Sequence, residues 1–148
     1  MNGQNWTVWK DIGEECDYEN AAVYKIALLE SLDPLIPIAI PRFLREDKGG
    51  ILLIGATGNM KRRRREFLNG QHGPASLWRR ISTYTEFKKK FPNSMLAYCY
   101  TPMKDGEQAT ALEGTLILEY TVKYGEPPVL NSTIPKRYDD DEWQRLAQ

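Results

Sequence analysis

A short apolar segment over residues 51–55, Ile-Leu-Leu-Ile-Gly, most constrains how this chain can fold. Turn-forming residues bound it on both sides, with Gly49-Gly50 before it and Gly58-Asn59 after it. Such a run between turn signals is typical of a buried strand. Residues 21–29 and 95–101 are also rich in strand-forming side chains. The sequence therefore predicts three strands.

Four helices are predicted between and after these strands. The first begins after Asn59, a suitable N-cap, and the last carries apolar side chains at three- and four-residue steps until Gly125 closes it. The predicted helices cover residues 60–68, 75–81, 85–91 and 107–124. Three strands with helices at irregular intervals favour a small α+β domain over a doubly wound sheet.

The length of 148 residues is typical of one domain, flanked here by two polar segments. The N-terminal arm, residues 1–20, is expected to be irregular or a short helix, docked by Trp6 and Trp9. The C-terminal tail, residues 132–148, is expected to be mobile. Residues 30–50 hold three prolines and are expected to form a loop and a tight turn. The three regions are an N-terminal arm (1–20), the domain (21–131) and an acidic C-terminal tail (132–148).

Charge is strongly segregated along a chain whose formal net charge is zero. Residues 61–90 hold ten Lys or Arg against only Glu66 and Glu86, so this segment carries +8 and the remainder −8. A uniformly cationic binding protein is excluded, and a basic face for a polyanion is predicted. The candidate nucleic-acid contacts are Lys61, Arg62, Arg64, Arg65, Arg79, Arg80 and Lys88.

Several classes of protein are excluded by what the sequence lacks. Cys16 and Cys99 cannot form a disulfide framework or a CxxC metal site, and a single histidine, His72, excludes a multi-histidine zinc site. The longest apolar run, residues 34–40, is far shorter than the roughly 20 residues that span a bilayer. The N-terminus does not have the pattern of a signal peptide. A cytoplasmic protein with no membrane partner and no small-molecule cofactor is therefore expected.

Four short motifs follow one another along residues 21–131. Ala22-Val23-Tyr24 lies in the first predicted strand, and Leu53-Ile54-Gly55 ends the second. Arg63 closes the stretch G-x-T-x-N-[hydrophobic]-x-x-R that begins at this glycine, and Glu113 precedes P-P-x-L-N. In this order the motifs resemble those of the GIY-YIG nuclease superfamily, with AVY and LIG in place of GIY and YIG.

The resemblance implies a three-stranded antiparallel sheet flanked by helices, acting as an endonuclease that hydrolyses DNA phosphodiesters with one divalent cation, Mg²⁺ or Mn²⁺. Tyr24 would help to activate the attacking water, Arg63 would stabilise the phosphate, and Glu113 would hold the metal. His72 is similar to the histidine that some members place after the first helix. Because phosphodiesters are anionic, an arginine and a metal suit them, and a lone carboxylate suits Mg²⁺.

Alternatives follow from two features of the sequence. Leu53 replaces the tyrosine of the second motif, and loss of an acid–base group costs roughly 10²–10⁴-fold in rate. The chain could therefore be a catalytically weakened or inactive nucleic-acid-binding protein, and a protein–protein adaptor is a further alternative. Because five consecutive cations wrap around a helix, Arg62 and Arg64 remain alternatives to Arg63.

Overall fold

The computed structural model describes residues 4–131, which form an α+β fold with antiparallel strand pairs, so the predicted class is confirmed. The predicted tail, residues 132–148, lies outside the described residues. Each predicted strand and helix is present, with bounds shifted by no more than two residues. Within the described residues the strands are β1 (Lys10–Asp11), β2 (Ala22–Ser31), β3 (Ile36–Pro37), β4 (Ile40–Pro41), β5 (Glu46–Asp47), β6 (Ile51–Thr57) and β7 (Met95–Pro102). The helices are α1 (Met60–Leu68), α2 (Gly73–Thr83), α3 (Thr85–Lys90) and α4 (Gly106–Tyr124).

Strand β2 is the centre of the sheet, because it pairs antiparallel with β7 on one side and with β6 on the other. Two short strands extend this three-stranded core: β1 pairs with β7, and β3 pairs with the far end of β2. The sheet therefore has five strands rather than the three that the sequence predicts. Each added strand is only two residues long, too short to show an alternating pattern. Strand β3 also contains Pro37, which sheets accept at an edge.

Both faces of β2 are covered by helices, which explains its nearly continuous apolar sequence. Tyr24 and Ile26 point to the face covered by α1 and α2, where they share a core with Phe67. Val23 points to the opposite face and packs in a cluster with Ile117 of α4. Within residues 4–131, no helix combines the length and the apolar content that crossing a membrane requires.

The N-terminal arm packs along the sheet. The Lys25 ammonium lies over the ring of Trp6, 4.2 Å from its centre, and Trp9 packs against a third apolar cluster. The arm is thus docked by its tryptophans, as predicted, and also by strand β1, which was not predicted. The segment predicted as a loop between β2 and β6 contains β3 and a two-stranded ribbon of β4 and β5.

The outer edge of β6 is covered by residues 130 and 131. The Leu130 N–H donates to the Leu52 carbonyl at 2.8 Å. The Asn131 amide pairs with both backbone groups of Ile54, accepting from its N–H at 3.1 Å and donating to its carbonyl at 2.9 Å. An uncovered edge would leave these groups available for pairing with another chain. Asn131, the last residue of the P-P-x-L-N motif, therefore covers the edge of β6, the strand that carries Gly55.

Helix α4, which carries Glu113, is fixed at both ends and by Tyr120 in its last turns. The Asp105 carboxylate accepts a hydrogen bond from a backbone N–H of the first turn at 2.8 Å. Gly125 ends the helix in the left-handed region, with φ of 83°. Between them, the Tyr120 hydroxyl donates to the buried Asp47 carboxylate at 2.7 Å. Since Asp47 also accepts from the backbone of the turn before β6, this contact ties α4 to β6.

Tyr120→Phe should lower the free energy of unfolding by about 1.5–3 kcal/mol, because it removes a buried hydrogen bond to a carboxylate. Urea denaturation would measure the change. Tyr124→Phe is the matched control: its ring lies 4.4 Å from that of Tyr120 on the same helix, and its effect should stay below about 0.5 kcal/mol. Equal effects of the two variants would contradict a structural role for the contact with Asp47.

Candidate functional site

The phenol ring of Tyr24 crosses the neighbouring strand at Gly55. The two residues are cross-strand partners near one end of the sheet, and Tyr24 is only 2% exposed. A Cβ at position 55 would lie 2.7 Å from the Tyr24 Cε1 atom and closer still to Cζ and the hydroxyl oxygen. The glycine that ends the LIG segment is therefore a steric requirement of the Tyr24 ring position.

Arg63 brings a guanidinium to the Tyr24 hydroxyl from helix α1. Asn59 caps this helix as predicted, since its side chain accepts from the Arg62 backbone N–H at 3.0 Å. The Arg63 Nη1 donates to the Tyr24 hydroxyl oxygen at 3.2 Å, and its Nε donates to Oε1 of Glu66, also at 3.2 Å. The guanidinium is therefore held on two sides, by a phenol and by a carboxylate.

Arg62 and Arg64, the two alternatives to Arg63, have different surroundings in the structure. The Arg62 side chain is 57% exposed and its Nε lies 4.0 Å from Glu66. Arg64 is buried, and its Nη1 donates to the Ile12 carbonyl at 2.8 Å, so it holds the N-terminal arm. The prediction that Arg64 contacts nucleic acid therefore needs correction: this position shares the inward face of α1 with Met60 and Phe67.

Glu113 is half-buried on α4, and its charge acts on the Tyr24 hydroxyl. Burial is the main cause that raises the pKa of Tyr24; the charge and hydrogen bond of Arg63 oppose the rise, whereas the charges of Glu113 and Glu66 add to it. Tyr24 is therefore protonated at neutral pH. Residues of α1 and α4, far apart in the sequence, thus act on one hydroxyl of β2.

His72 approaches the same cluster at the start of α2. It occupies the N-cap position, and its ring centre lies 5.6 Å from that of Phe67. Within the described residues its Nε2 is buried and has no hydrogen-bond partner. Burial is the main cause that lowers the pKa of His72; the charge of Arg63 lowers it further, and that of Glu66 opposes the shift. The imidazole is therefore neutral at pH 7 and can accept a proton.

The cations of α2 and α3 face solvent because the aromatic residues of these helices face inward. Trp78 and Phe87 make an edge-to-face contact at 5.1 Å, and Phe87 and Phe91 lie 5.2 Å apart. Lys61 is half-exposed and lies 3.4 Å from Glu19. The basic surface is defined by the exposed predicted contacts Arg62, Arg65, Arg79, Arg80 and Lys88.

The donor chemistry of the cluster fits a hard divalent cation bound by one carboxylate. Among residues 4–131, no three His, Cys, Asp or Glu side chains form a group that could hold a metal ion. Two carboxylates act on Tyr24 through their charge, and Glu113 raises its pKa more than Glu66 does. Mg²⁺ commonly binds proteins through one or two carboxylates and keeps several waters. Glu113 is therefore suited to Mg²⁺ or Mn²⁺.

The hydroxyl that Leu53 lacks is not supplied by the other tyrosine beside Tyr24. Leu53 is 2% exposed and belongs to the core on the Tyr24 face of the sheet. Tyr100 is the cross-strand partner of Tyr24 on β7, but its ring stacks on Tyr18 at 5.5 Å. Burial is the main cause that raises the pKa of Tyr100, and its neighbours Cys16 and Tyr18 add to the rise. Position 53 therefore provides no phenol to the cluster, and the Tyr100 ring is engaged by Tyr18.

No protein-family model, curated protein or solved structure matches this chain. Its function must therefore be inferred from the residues and their geometry. Among the four predicted catalytic residues, Arg63 contacts Tyr24, the charge of Glu113 acts on Tyr24, and the charge of Arg63 acts on His72. Glu66 is the member that was not predicted, and the sequence does carry a signal for it: Glu66 is one of two acids in the basic segment 61–90.

Gly55→Ala should lower the free energy of unfolding by about 1–3 kcal/mol, because the new Cβ overlaps the Tyr24 ring. Gly58→Ala is the matched control: nothing lies within 4 Å of a Cβ at that position, so its effect should stay within about 0.5 kcal/mol. Thermal and urea denaturation would measure both. A Gly55→Ala protein as stable as the wild type would mean that the Tyr24 ring does not cross Gly55.

Proposed function

We propose that this protein is a metal-dependent endonuclease that hydrolyses DNA phosphodiester bonds through a single-metal site similar to that of the GIY-YIG nuclease superfamily. The observation that carries the proposal is the 3.2 Å hydrogen bond from Arg63 to Tyr24, formed where the charge of Glu113 also acts. These residues are the ones that the sequence motifs named. The antiparallel order β6–β2–β7, with helices on both faces, supports the same proposal.

A guanidinium beside a buried phenol suits an anionic substrate. A phosphodiester carries one negative charge and gains more as water attacks the phosphorus. The Arg63 side chain is 28% exposed, so a ligand can reach a guanidinium that Tyr24 and Glu66 already hold. Arginine N–H groups bind phosphate oxygens in pairs, which fixes orientation as well as charge. Arg63 would therefore bind the scissile phosphate and stabilise its transition state.

Glu113 would hold the divalent cation. When bound, Mg²⁺ or Mn²⁺ supplies positive charge to the phosphate oxygens and to water in the site. The Glu113 carboxylate would be the protein ligand, and its place on the tethered helix α4 would keep it beside Tyr24. The fixed positions of β2 and α4 would thus set where the phosphate and the carboxylate meet.

Tyr24 and His72 would divide the proton chemistry, because their surroundings move their pKa values in opposite directions. Burial raises the pKa of Tyr24, so its hydroxyl keeps its proton and can donate a hydrogen bond that orients the attacking water. Burial lowers the pKa of His72, so its imidazole is neutral at pH 7 and would be the group that accepts the proton of that water.

The basic surface supports DNA as the substrate. Its five cations lie on α1, α2 and α3, the helices that also provide Arg63 and His72. Contacts of arginine and lysine with phosphates release counterions and hold a duplex without reading its sequence. The DNA backbone would therefore bind across these helices, with one phosphate at Arg63.

A nucleic-acid-binding protein without catalysis is the alternative, and Leu53 is the observation that favours it. The leucine is packed in the core, so neither it nor Tyr100 provides the second phenol beside Tyr24. A protein derived from the same fold could keep the basic surface and the buried cluster after losing its chemistry. The two functions share DNA binding and differ only in cleavage.

Glu113→Gln should reduce Mg²⁺- or Mn²⁺-dependent cleavage of plasmid DNA by about 10²–10³-fold, because it removes the anionic ligand and keeps the shape of the side chain. Glu119→Gln is the matched control, a half-buried glutamate on the same helix, and should cleave at the wild-type rate. Both variants should bind DNA in EDTA with an affinity whose logarithm falls by about 0.9 per neutralised phosphate against log salt.

Three results would decide against parts of this proposal. Equal cleavage by the wild type and the Glu113→Gln variant would remove Glu113 as the metal ligand. A wild-type protein that binds DNA in this salt-dependent way and never cleaves it would establish the alternative. A protein with no affinity for any polynucleotide would favour the adaptor function instead.

Cleavage should depend on pH through His72. Because the pKa of His72 is lowered, the imidazole is neutral above its pKa, and the rate should fall only as the pH drops below the ordinary histidine value of about 6.5. His72→Gln should remove this acid limb and lower the rate by about 10²–10⁴-fold. A profile of kcat/KM from about pH 5 to about pH 9 would measure both effects. An acid limb that persists unchanged in the variant would exclude His72 as the base.

A further inference from the structure

Glu66 is an acidic residue within a surface that attracts phosphates. It is one of two acids among residues 61–90, and its carboxylate contacts two arginines of its own helix. Oε1 accepts from the Arg63 Nε at 3.2 Å, and Oε2 lies 4.0 Å from the Arg62 Nε. A negative charge at this place opposes the binding of a polyanion. Its presence needs a reason beyond solubility.

The Arg63 side chain provides such a reason. A single hydrogen bond from Nη1 to Tyr24 leaves a long, flexible side chain free to turn its guanidinium plane. The contact of Nε with Glu66 holds the guanidinium at a second point, at the same distance of 3.2 Å. With two donors occupied, the direction of the remaining N–H groups is fixed.

Glu86 and Lys89 of α3 show what an ordinary ion pair at the same spacing looks like. Their charged atoms are 4.0 Å apart, and the side chains are 90% and 71% exposed. The Arg63 and Glu66 side chains are 28% and 31% exposed, and their contact is a hydrogen bond. Glu86 therefore serves as a control with the same three-residue spacing that differs from Glu66 in burial, in partner and in the order of acid and base.

We propose that Glu66 is a positioning residue whose carboxylate holds the Arg63 guanidinium on the Tyr24 hydroxyl, so that its free N–H groups face the scissile phosphate. This inference rests on the proposed function and deepens it. Glu66 would not touch the substrate and acts through Arg63. The inference also accounts for an acid that would otherwise weaken DNA binding.

His72 provides a second measure of the same arrangement. The charged groups that act on it are Arg63 and Glu66, both on α1, and Phe67 packs against its ring. Since the charge of Glu66 raises the pKa of His72, removal of that charge should lower this pKa further. His72 is the single histidine of the chain, so one imidazole NMR signal reports on it.

The kinetic test compares Glu66→Ala, Glu66→Gln and the control Glu86→Gln. Glu66→Ala should lower kcat about ten- to hundredfold, because a misdirected guanidinium loses its alignment with the phosphate. Glu66→Gln should lose less, since its amide oxygen can still accept from the Arg63 Nε. Affinity for uncleaved DNA in EDTA should be unchanged or tighter. A merely solvated acid predicts tighter binding with no loss of kcat, which would overturn the proposal.

NMR separates this inference from the proposed function. In the wild type the Arg63 Nε–H signal, identified by its loss in Arg63→Lys, should be protected from exchange, and Glu66→Ala should abolish the protection. Glu66→Gln should lower the pKa of His72, whereas Glu86→Gln should leave it unchanged. If the wild type cleaves no DNA, the proposed function is wrong, and the Arg63 signal still decides whether Glu66 holds Arg63. Protection that persists in Glu66→Ala would overturn the positioning role, and Glu66→Met, which is similar in length but has no oxygen to accept from the Arg63 Nε, provides the same test if the alanine variant does not fold.

Discussion

The buried hydroxyl of Tyr24 is the constraint on which the rest of the site depends. A phenol taken out of water needs a hydrogen-bond partner, since an unpaired buried hydroxyl costs about 1–3 kcal/mol. Arg63 provides the partner, and Gly55 provides the space for the ring. Arg63 is itself a charge in a half-buried place, and Glu66 compensates it. The hydrogen bonds of Arg63 with Tyr24 and Glu66, together with the space at Gly55, therefore hold β2, β6 and α1 in one arrangement.

The main elements could be predicted because each has a local signal. Strands β2, β6 and β7 are apolar runs next to turn residues. Asn59 marks the start of α1, and Gly125 marks the end of α4. Strands β1 and β3 have no such signal. Lys10–Asp11 is polar, and it pairs with β7 because Trp9 and the Arg64 contact with Ile12 dock the arm there. Structure created by tertiary contacts of this kind leaves no periodic pattern in the sequence.

The site divides in the same way. Tyr24, Arg63 and Glu113 could be predicted as site residues because they lie in motifs that resemble those of the GIY-YIG nuclease superfamily. The run of five cations hides the orientation of its members: Arg64 lies four residues after Met60 and three before Phe67, on the inward face of α1. The four-residue and three-residue steps could have placed Arg64 inside. The sequence marks Glu66 as one of two acids in a basic segment, but which arginine Glu66 binds depends on side-chain contacts that spacing does not determine.

The loss of the second tyrosine need not remove the proton acceptor from the proposed mechanism. Burial on the α1 and α2 face raises the pKa of Tyr24, and a phenol at position 53 would stand on the same face, in a core where Leu53 is 2% exposed. The same desolvation would keep that second phenol protonated, so it could orient water but not take its proton. Burial lowers the pKa of a group whose protonated form is a cation. Such a group is neutral at pH 7 and can accept the proton. His72 meets this condition, with Arg63 adding to the effect of burial. In the proposed mechanism, Leu53 would therefore remove an orienting hydroxyl, and His72 would keep the capacity to accept a proton.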